Sequence, residues 1–222
     1  MKAGNCIYGC ASDMPSVIPV FPLPEALLLP RADMPLNVFE PRYLAMIDAA
    51  VASNRIVGMV QIDEAAPARP FGPELRQVGC AGRIVSFAET GDGRYMITLT
   101  GIARFRILDE LPLETLYRRC HVTAEPFACD FRTATPPIDR TAVLRVFCNY
   151  LKSQHLEADW EAVGRASDEA LVNALAMMSP YGSAEKQAML EAPDLKTRAE
   201  ILVAVTDIEL AKSKTPGEMP LQ

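Results

Sequence analysis

The chain has 222 residues, half of them hydrophobic, with a formal charge of −6 and a pI near 5.1. That much apolar side chain can bury a real core, which excludes disorder, and the acidic balance argues against a general nucleic-acid binder, which needs clustered Lys and Arg to displace phosphate counterions. The apolar runs fall far short of the roughly 20 residues that span a bilayer, and the N-terminus, MKAGNCIYGCASDMPS, has one Lys but no apolar h-region, so no membrane partner and a cytoplasmic location with reduced cysteines are expected.

In chain order, residues 17–23 and 34–38 read as short strands, whose prolines belong at ends, edges or bulges because proline brings no N–H to a ladder. The apolar string 26–29 between them is expected as a buried strand, the alternative being an exposed anchor for a partner. A helix should start at Pro41, because its fixed φ suits the first helical position, with Glu40 as N-cap and Phe39 and Leu44 spaced as a hydrophobic staple. Leu44, Ile47, Ala50 and Val51 recur at helical spacing and give that helix an apolar face. Residues 56–62 form a short apolar run, and 63–73, with Pro67, Pro70, Gly72 and Pro73, read as a loop.

Residues 78–89 and 94–100 flank Thr90-Gly91-Asp92-Gly93, whose glycines permit the positive φ of a tight hairpin. Gly101 is expected to break the strand, 103–109 to resume it with Phe105 and Ile107 on one face, and 117–125 to add another. Short strands with frequent turns point to a small barrel or coiled sheet. Gly79 and Gly82 mark a bulge within it.

The stretch 126–140, with Pro126, Pro136 and Pro137, reads as a linker, and beyond it the apolar period changes from two to about 3.6. Val143, Phe147, Tyr150 and Leu151 belong to one amphipathic helix. Ser167 caps a second carrying Leu171, Val172, Leu175 and Met178, Ser183 a third through Met189 and Leu190, and Asp194 a fourth through Ile201, Leu202, Val205 and Leu210. Trp160 is placed between helices, where it either closes one end of a bundle or serves as an exposed anchor for a partner, Trp being enriched in binding hot spots.

Two ordered blocks carry a family resemblance. Residues 19–46, PVFPLPEALLLPRADMPLNVFEPRYLAM, and then VGCAGRI, DGRY and LTGIARFRI resemble the start and second block of the LON substrate-binding domain, the N-terminal module of Lon (La) ATP-dependent proteases, which also occurs alone. The element 186–191 resembles the Lys-Gln-x-x-Leu-Glu of the helices that follow in that family. The resemblance implies an α+β fold, a PUA-like β barrel followed by a C-terminal helical bundle. The expected division is an N-terminal tail 1–14, the barrel subdomain 15–125, the linker 126–140, the bundle 141–212 and a C-terminal tail 213–222.

Lon proteases add an ATPase and a Ser-Lys peptidase, and neither is expected here. No glycine is followed by lysine, so a GxxxxGK[ST] phosphate loop is absent from the sequence. Ser179, Ser183 and Lys186 read as helix caps and surface polar residues. Neither Cys6 with Cys10 nor Cys148 with His155 makes a tetrahedral ligand set, and His121 reads as a partly buried histidine with a backbone partner. No catalytic, metal or cofactor site is expected.

The expected function is therefore non-enzymatic binding of unfolded or client polypeptides in a groove between barrel and bundle, with a separate protease as a further partner. Leu28, Met34, Phe39, Met177 and Met178 are the candidate contacts, methionine being adaptable to varied partners. The alternative is RNA binding by the PUA-like barrel through a basic patch of Arg104, Arg106, Arg118 and Arg119, although arginines at alternate positions also describe the solvent face of a half-buried strand.

Overall fold

Glycine, proline and apolar periodicity divide the chain into short strands followed by helices. The computed structural model describes residues 1–67, 72–132, 137–154 and 157–214. Its strands are β1 (Lys2–Ala3), β2 (Cys6–Ile7), β3 (Val17–Pro22), β4 (Asp33–Val38), β5 (Ile56–Val60), β6 (Val78–Glu89), β7 (Tyr95–Glu110) and β8 (Arg119–Thr123). Its helices are α1 (Pro41–Val51), α2 (Arg140–Gln154), α3 (Trp160–Arg165), α4 (Asp168–Met178), α5 (Ser183–Glu191) and α6 (Leu195–Lys214). The chain forms two units, Met1–Ala134 with Ser179–Glu191, and Thr135–Met178 with Ala192–Gln222.

In the first unit the strand order is β4-β7-β6-β5-β3-β8, and β8 also pairs with β7. Five strands therefore close into a ring, which leaves β4, paired with β7 alone, as the end strand of the sheet. The long β7 serves two neighbours, its first half pairing with β4 and its last residues with β8. Pairing is antiparallel except between β3 and β5, whose parallel connection carries α1. The core holds Ile18, Val20, Phe105 and Cys120, all fully buried, with every residue of β5.

Three expectations fail on packing. First, β7 runs unbroken through Gly101, where a Cβ would lie 2.1 Å from the Leu29 carbonyl oxygen. Glycine is there for that close approach, and it exchanges hydrogen bonds with the passing chain, Arg31 N–H to Gly101 O (2.8 Å) and Gly101 N–H to Ala32 O (2.9 Å). Secondly, Leu27 to Leu29 are buried but do not form a strand. Thirdly, the N-terminal residues are not a tail: Ala3 and Tyr8 enter the core, and Arg83 donates to Tyr8 Oη (3.4 Å), Asn5 Oδ1 (3.1 Å) and Asn54 O (2.6 Å).

The start of the expected linker is a 3-10 turn, Glu125–Phe131, that packs on β7 with Phe127, Asp130 and Phe131 buried. Likewise α5 groups with the strands rather than with the other helices. Lys186 Nζ donates to Glu25 O (2.8 Å) and Gln187 Nε2 to Val78 O (3.1 Å), so these two residues of the Lys-Gln-x-x-Leu-Glu element are anchors. Lys186 is buried, not a surface residue, and burial pushes its ammonium pKa down.

In the second unit α2 packs on α4 and α6, and α4 on α6. Aspartates and a serine cap them: Asp139 accepts from Ala142 N–H (2.9 Å), Ser167 from Ala170 N–H (3.2 Å) and Asp194 from Thr197 N–H (2.8 Å). Ser183, by contrast, is the first helical residue of α5. Trp160 does not lie between helices. It opens α3, capped by Asp159, with its ring 6.0 Å from that of Phe147 and 52% exposed. Among the described residues no helix is long and apolar enough to cross a membrane. Pro70, Pro136 and His155 lie outside those residues, as do 215–222 of the expected C-terminal tail.

Candidate functional site

Where β3 ends, its chain meets the start of α1 at a cleft of about 310 Å³. Proline explains the local path. Pro22 ends β3 and Pro24 follows, leaving Leu23 N–H to bond Val60 O (3.1 Å), and all three residues line one side of the cleft. Pro41 then starts α1 with Glu40 as N-cap, so Glu40, Arg42 and Tyr43 reach the cleft from the first helical turn. Glu40 makes no side-chain cap bond, and its carboxylate holds Arg42 instead.

Tyr43 is the buried member of this group. Its ring centroid lies 4.1 Å from that of Phe21, and the Arg42 guanidinium sits 4.5 Å from it. Burial pushes the Tyr43 phenol pKa up, with the nearby Arg42 charge opposing. A neutral phenol beside proline rings gives the cleft an apolar wall.

The opposite walls come from two connections. Ile62, Gly72 and Pro73 flank the bridge between Ile62 and Leu75. Residues 111–118, joining β7 to β8, contribute Leu113 and Leu116, which are 53% and 69% exposed. Arg118 fastens these walls together: Nε and Nη2 each donate to Glu110 at 2.6 Å, and Nη1 donates to Pro73 O at 2.8 Å. Arg42 donates through Nε to Glu40 Oε2 (2.9 Å), with Nη2 2.8 Å from the same oxygen. Both arginines lining the cleft thus have carboxylate partners, and what is left open is proline and leucine surface together with the outer part of Arg42, whose side chain is 55% exposed.

The five residues expected from the sequence to touch a polypeptide fall elsewhere. Leu28 and Met34 are 1% and 9% exposed and cannot meet a partner. Leu28 fills space above Gly82, where a Cβ would lie 2.7 Å from its Cδ2, and Met34 pairs with Leu99 in the β4–β7 register on the core side. Phe39 is exposed, with the Arg94 guanidinium 5.9 Å from its ring, and it immediately precedes the residues of the cleft. Met177 and Met178 sit on α4 in the second unit, Met177 half-buried and Met178 exposed.

The four arginines do not make a basic face. Arg104 is 2% exposed, and Asp130 accepts from its backbone N–H and Nε (both 2.9 Å) and from Nη2 (2.8 Å), while Leu190 O accepts from Nη1 (3.2 Å). Its guanidinium also lies 4.8 Å from the Phe127 ring. Burial alone would push its pKa down, yet Asp130 outweighs that and holds it above the ordinary value. Arg118 and Arg119 are committed to Glu110 and Glu114, and of the four only Arg106 is exposed. His121 bonds the Asp109 carboxylate (2.8 Å) rather than a backbone group. Among the described residues no set of three His, Cys, Asp or Glu side chains is placed to hold a metal.

The model of the family described as ATP-dependent protease La (LON) substrate-binding domain matches residues 17–206. Lon protease 2 of Myxococcus xanthus is 28% identical over 199 residues, 86% of this chain and 23% of that protein. The Lon protease of Anaeromyxobacter dehalogenans is 26% identical over 199 residues, again 86% of this chain and 23% of its own. The chain thus spans about a quarter of the length of these relatives. Among solved structures, a Lon N-terminal domain protein from Xanthomonas campestris superposes with a TM-score of 0.57 at 23% identity, covering 85% of this chain and 97% of that one. The N-terminal domain of a Mycobacterium avium complex Lon protease gives 0.61 at 19% identity, covering 86% and 98%. The fold is therefore that of Lon N-terminal domains.

Proposed function

Because the chain belongs to the family of LON substrate-binding domains, we propose that it is a non-enzymatic module that binds unfolded or client polypeptides, with the cleft beside Tyr43 as their seat. In this reading the closed ring of strands is the PUA-like barrel and the second unit the helical bundle. The protein acts in the cytoplasm, with a separate protease as a further partner, and itself cleaves neither ATP nor peptide.

One observation carries the reading. The cleft exposes Leu113 and Leu116 beside a buried tyrosine and prolines, while Arg42 and Arg118 have their charges matched from within. At about 310 Å³ it stands at the small end of the roughly 300–1,000 Å³ of ligand sites, room for one or two side chains of an extended segment. A site of that size supports weak binding, about −8 kcal/mol or micromolar, once association entropy is subtracted.

Titration of a labelled, permanently unfolded protein at low and high salt tests this. Apolar docking should persist or strengthen as salt rises, and replacing Leu113 and Leu116 by Asp should weaken it about tenfold or more. Single-stranded RNA is the control. RNA binding that falls steeply with salt, with no binding of the unfolded protein, would replace this reading by the nucleic-acid one.

A further inference from the structure

Arg42 differs from Arg118 in what its guanidinium has left to offer. Arg118 is 13% exposed and donates from Nε, Nη1 and Nη2 to Glu110 and Pro73. Arg42 is 55% exposed and uses only the edge formed by Nε and Nη2, both directed at one oxygen of Glu40. Its Nη1 has no partner among the described residues, so the end-on edge, two parallel N–H groups on Nη1 and Nη2, is open. That fork matches the two oxygens of a carboxylate. Glu40 on the side edge and the Tyr43 ring at 4.5 Å hold the guanidinium plane in place, so little rotamer freedom is lost when a ligand binds.

We propose that the cleft reads the C-terminus of a client polypeptide, the apolar last residue against the proline, leucine and tyrosine walls and the terminal carboxylate on the open edge of Arg42. This rests on the reading of the cleft as a polypeptide seat. The free fork argues for the carboxylate: Arg42 is half-exposed with one edge on Glu40 and the other open, whereas Arg118 is already saturated. Size fits a chain end, because a space of about 310 Å³ takes the last one or two residues of a polypeptide.

Two labelled decapeptides of one uncharged sequence ending in Leu, one a free acid and one a C-terminal amide, separate the claims. With the intact protein the acid should bind about fivefold more tightly, the size of a half-exposed charge pair. Arg42→Gln should abolish the preference, the acid and the amide then binding this variant with equal affinity. Arg42→Lys, which keeps charge but lacks the fork, should fall between. Equal binding of acid and amide overturns the carboxylate claim while leaving the cleft as a polypeptide seat. A preference that survives Arg42→Gln, or an amide with Glu before its last residue binding as tightly as the free acid, overturns it too. If neither peptide binds and Leu113→Asp/Leu116→Asp leaves unfolded-protein binding unchanged, the reading of the cleft fails as well.

Discussion

Arg104 and Arg42 belong to the same unit and each holds a carboxylate, yet their surroundings give them opposite work. Around Arg104 the 3-10 turn 125–131 packs on β7 and α5 brings in Leu190 O, which takes a further N–H, so guanidinium and Asp130 are shut away from water and satisfy one another. Arg42 and Glu40 meet at 2.8 Å as well, but both are about half exposed. A buried pair is costly to form and more costly to halve, whereas an exposed pair contributes little and leaves donors available. The comparison teaches that in this chain burial, not charge or spacing, separates arginines that hold the fold from those that can meet a partner.

The sharpest way to break the comparison is Arg104→Ala, which leaves Asp130 buried without its cation and should cost about 3–5 kcal/mol in urea unfolding. Replacing the pair together by Arg104→Met with Asp130→Asn, whose amide oxygen can still accept the Arg104 backbone N–H, should recover part of that. A loss below about 1 kcal/mol for the single change would show that the pair is not what fastens the turn to β7. Next comes Gly101→Ala, where the new Cβ would meet a backbone carbonyl that cannot give way cheaply. About 1–3 kcal/mol is expected from such overpacking, and an unchanged unfolding midpoint would mean that the Leu29 carbonyl is free to move.

Asp194 gives a smaller and pH-dependent effect. Its bond from Thr197 N–H holds its carboxyl below the usual carboxylate value, so the folded state favours the ionised form. That contribution is complete above the unfolded pKa near 3.9 and is lost as pH falls through the lower folded value. Asp194→Ala should cost about 1 kcal/mol at neutral pH, as for other caps, with the difference from the native chain shrinking below about pH 4. A difference that persists unchanged under acid would assign the effect to something other than the cap. Smallest of all, Arg42→Gln should shift stability by less than about 0.5 kcal/mol while altering the acid-over-amide preference. A large loss of stability there would make Arg42 a second Arg104 and dissolve the comparison.

How far the sequence disclosed this follows from which forces are local. Glu40 and Pro41 announced the start of α1, and the glycines at 91 and 93, both with positive φ, announced the hairpin, because each depends on a few adjacent residues. The prolines at 22 and 24 and the Glu-Pro-Arg-Tyr tetrapeptide stood out as a strand end and a helix start, but nothing local marked them as one side of a cleft. What stayed hidden depends on distant chain. Alternation placed Arg104 and Arg106 on one solvent face, but residues 125–131 return to pack on β7 and Leu190 reaches the Arg104 guanidinium, so that of the two only Arg106 is exposed. Gly101 looked like a breaker because the carbonyl of Leu29 that demands it lies far away in the chain. Leu113 and Leu116 were passed over because a connection between strands has no period, although leucines in so short a polar stretch were a visible signal. The short helix α3 was missed with its cap, Asp159, in plain view.

The central claim, that the cleft is where polypeptide docks, is met most directly by amide and methyl chemical-shift mapping of the intact protein during titration with an unfolded protein. The account expects the largest changes at Leu23, Tyr43, Ile62, Leu113 and Leu116, saturating together at micromolar concentration. Saturating changes confined to other surfaces of the molecule, with those five residues unmoved, would contradict it.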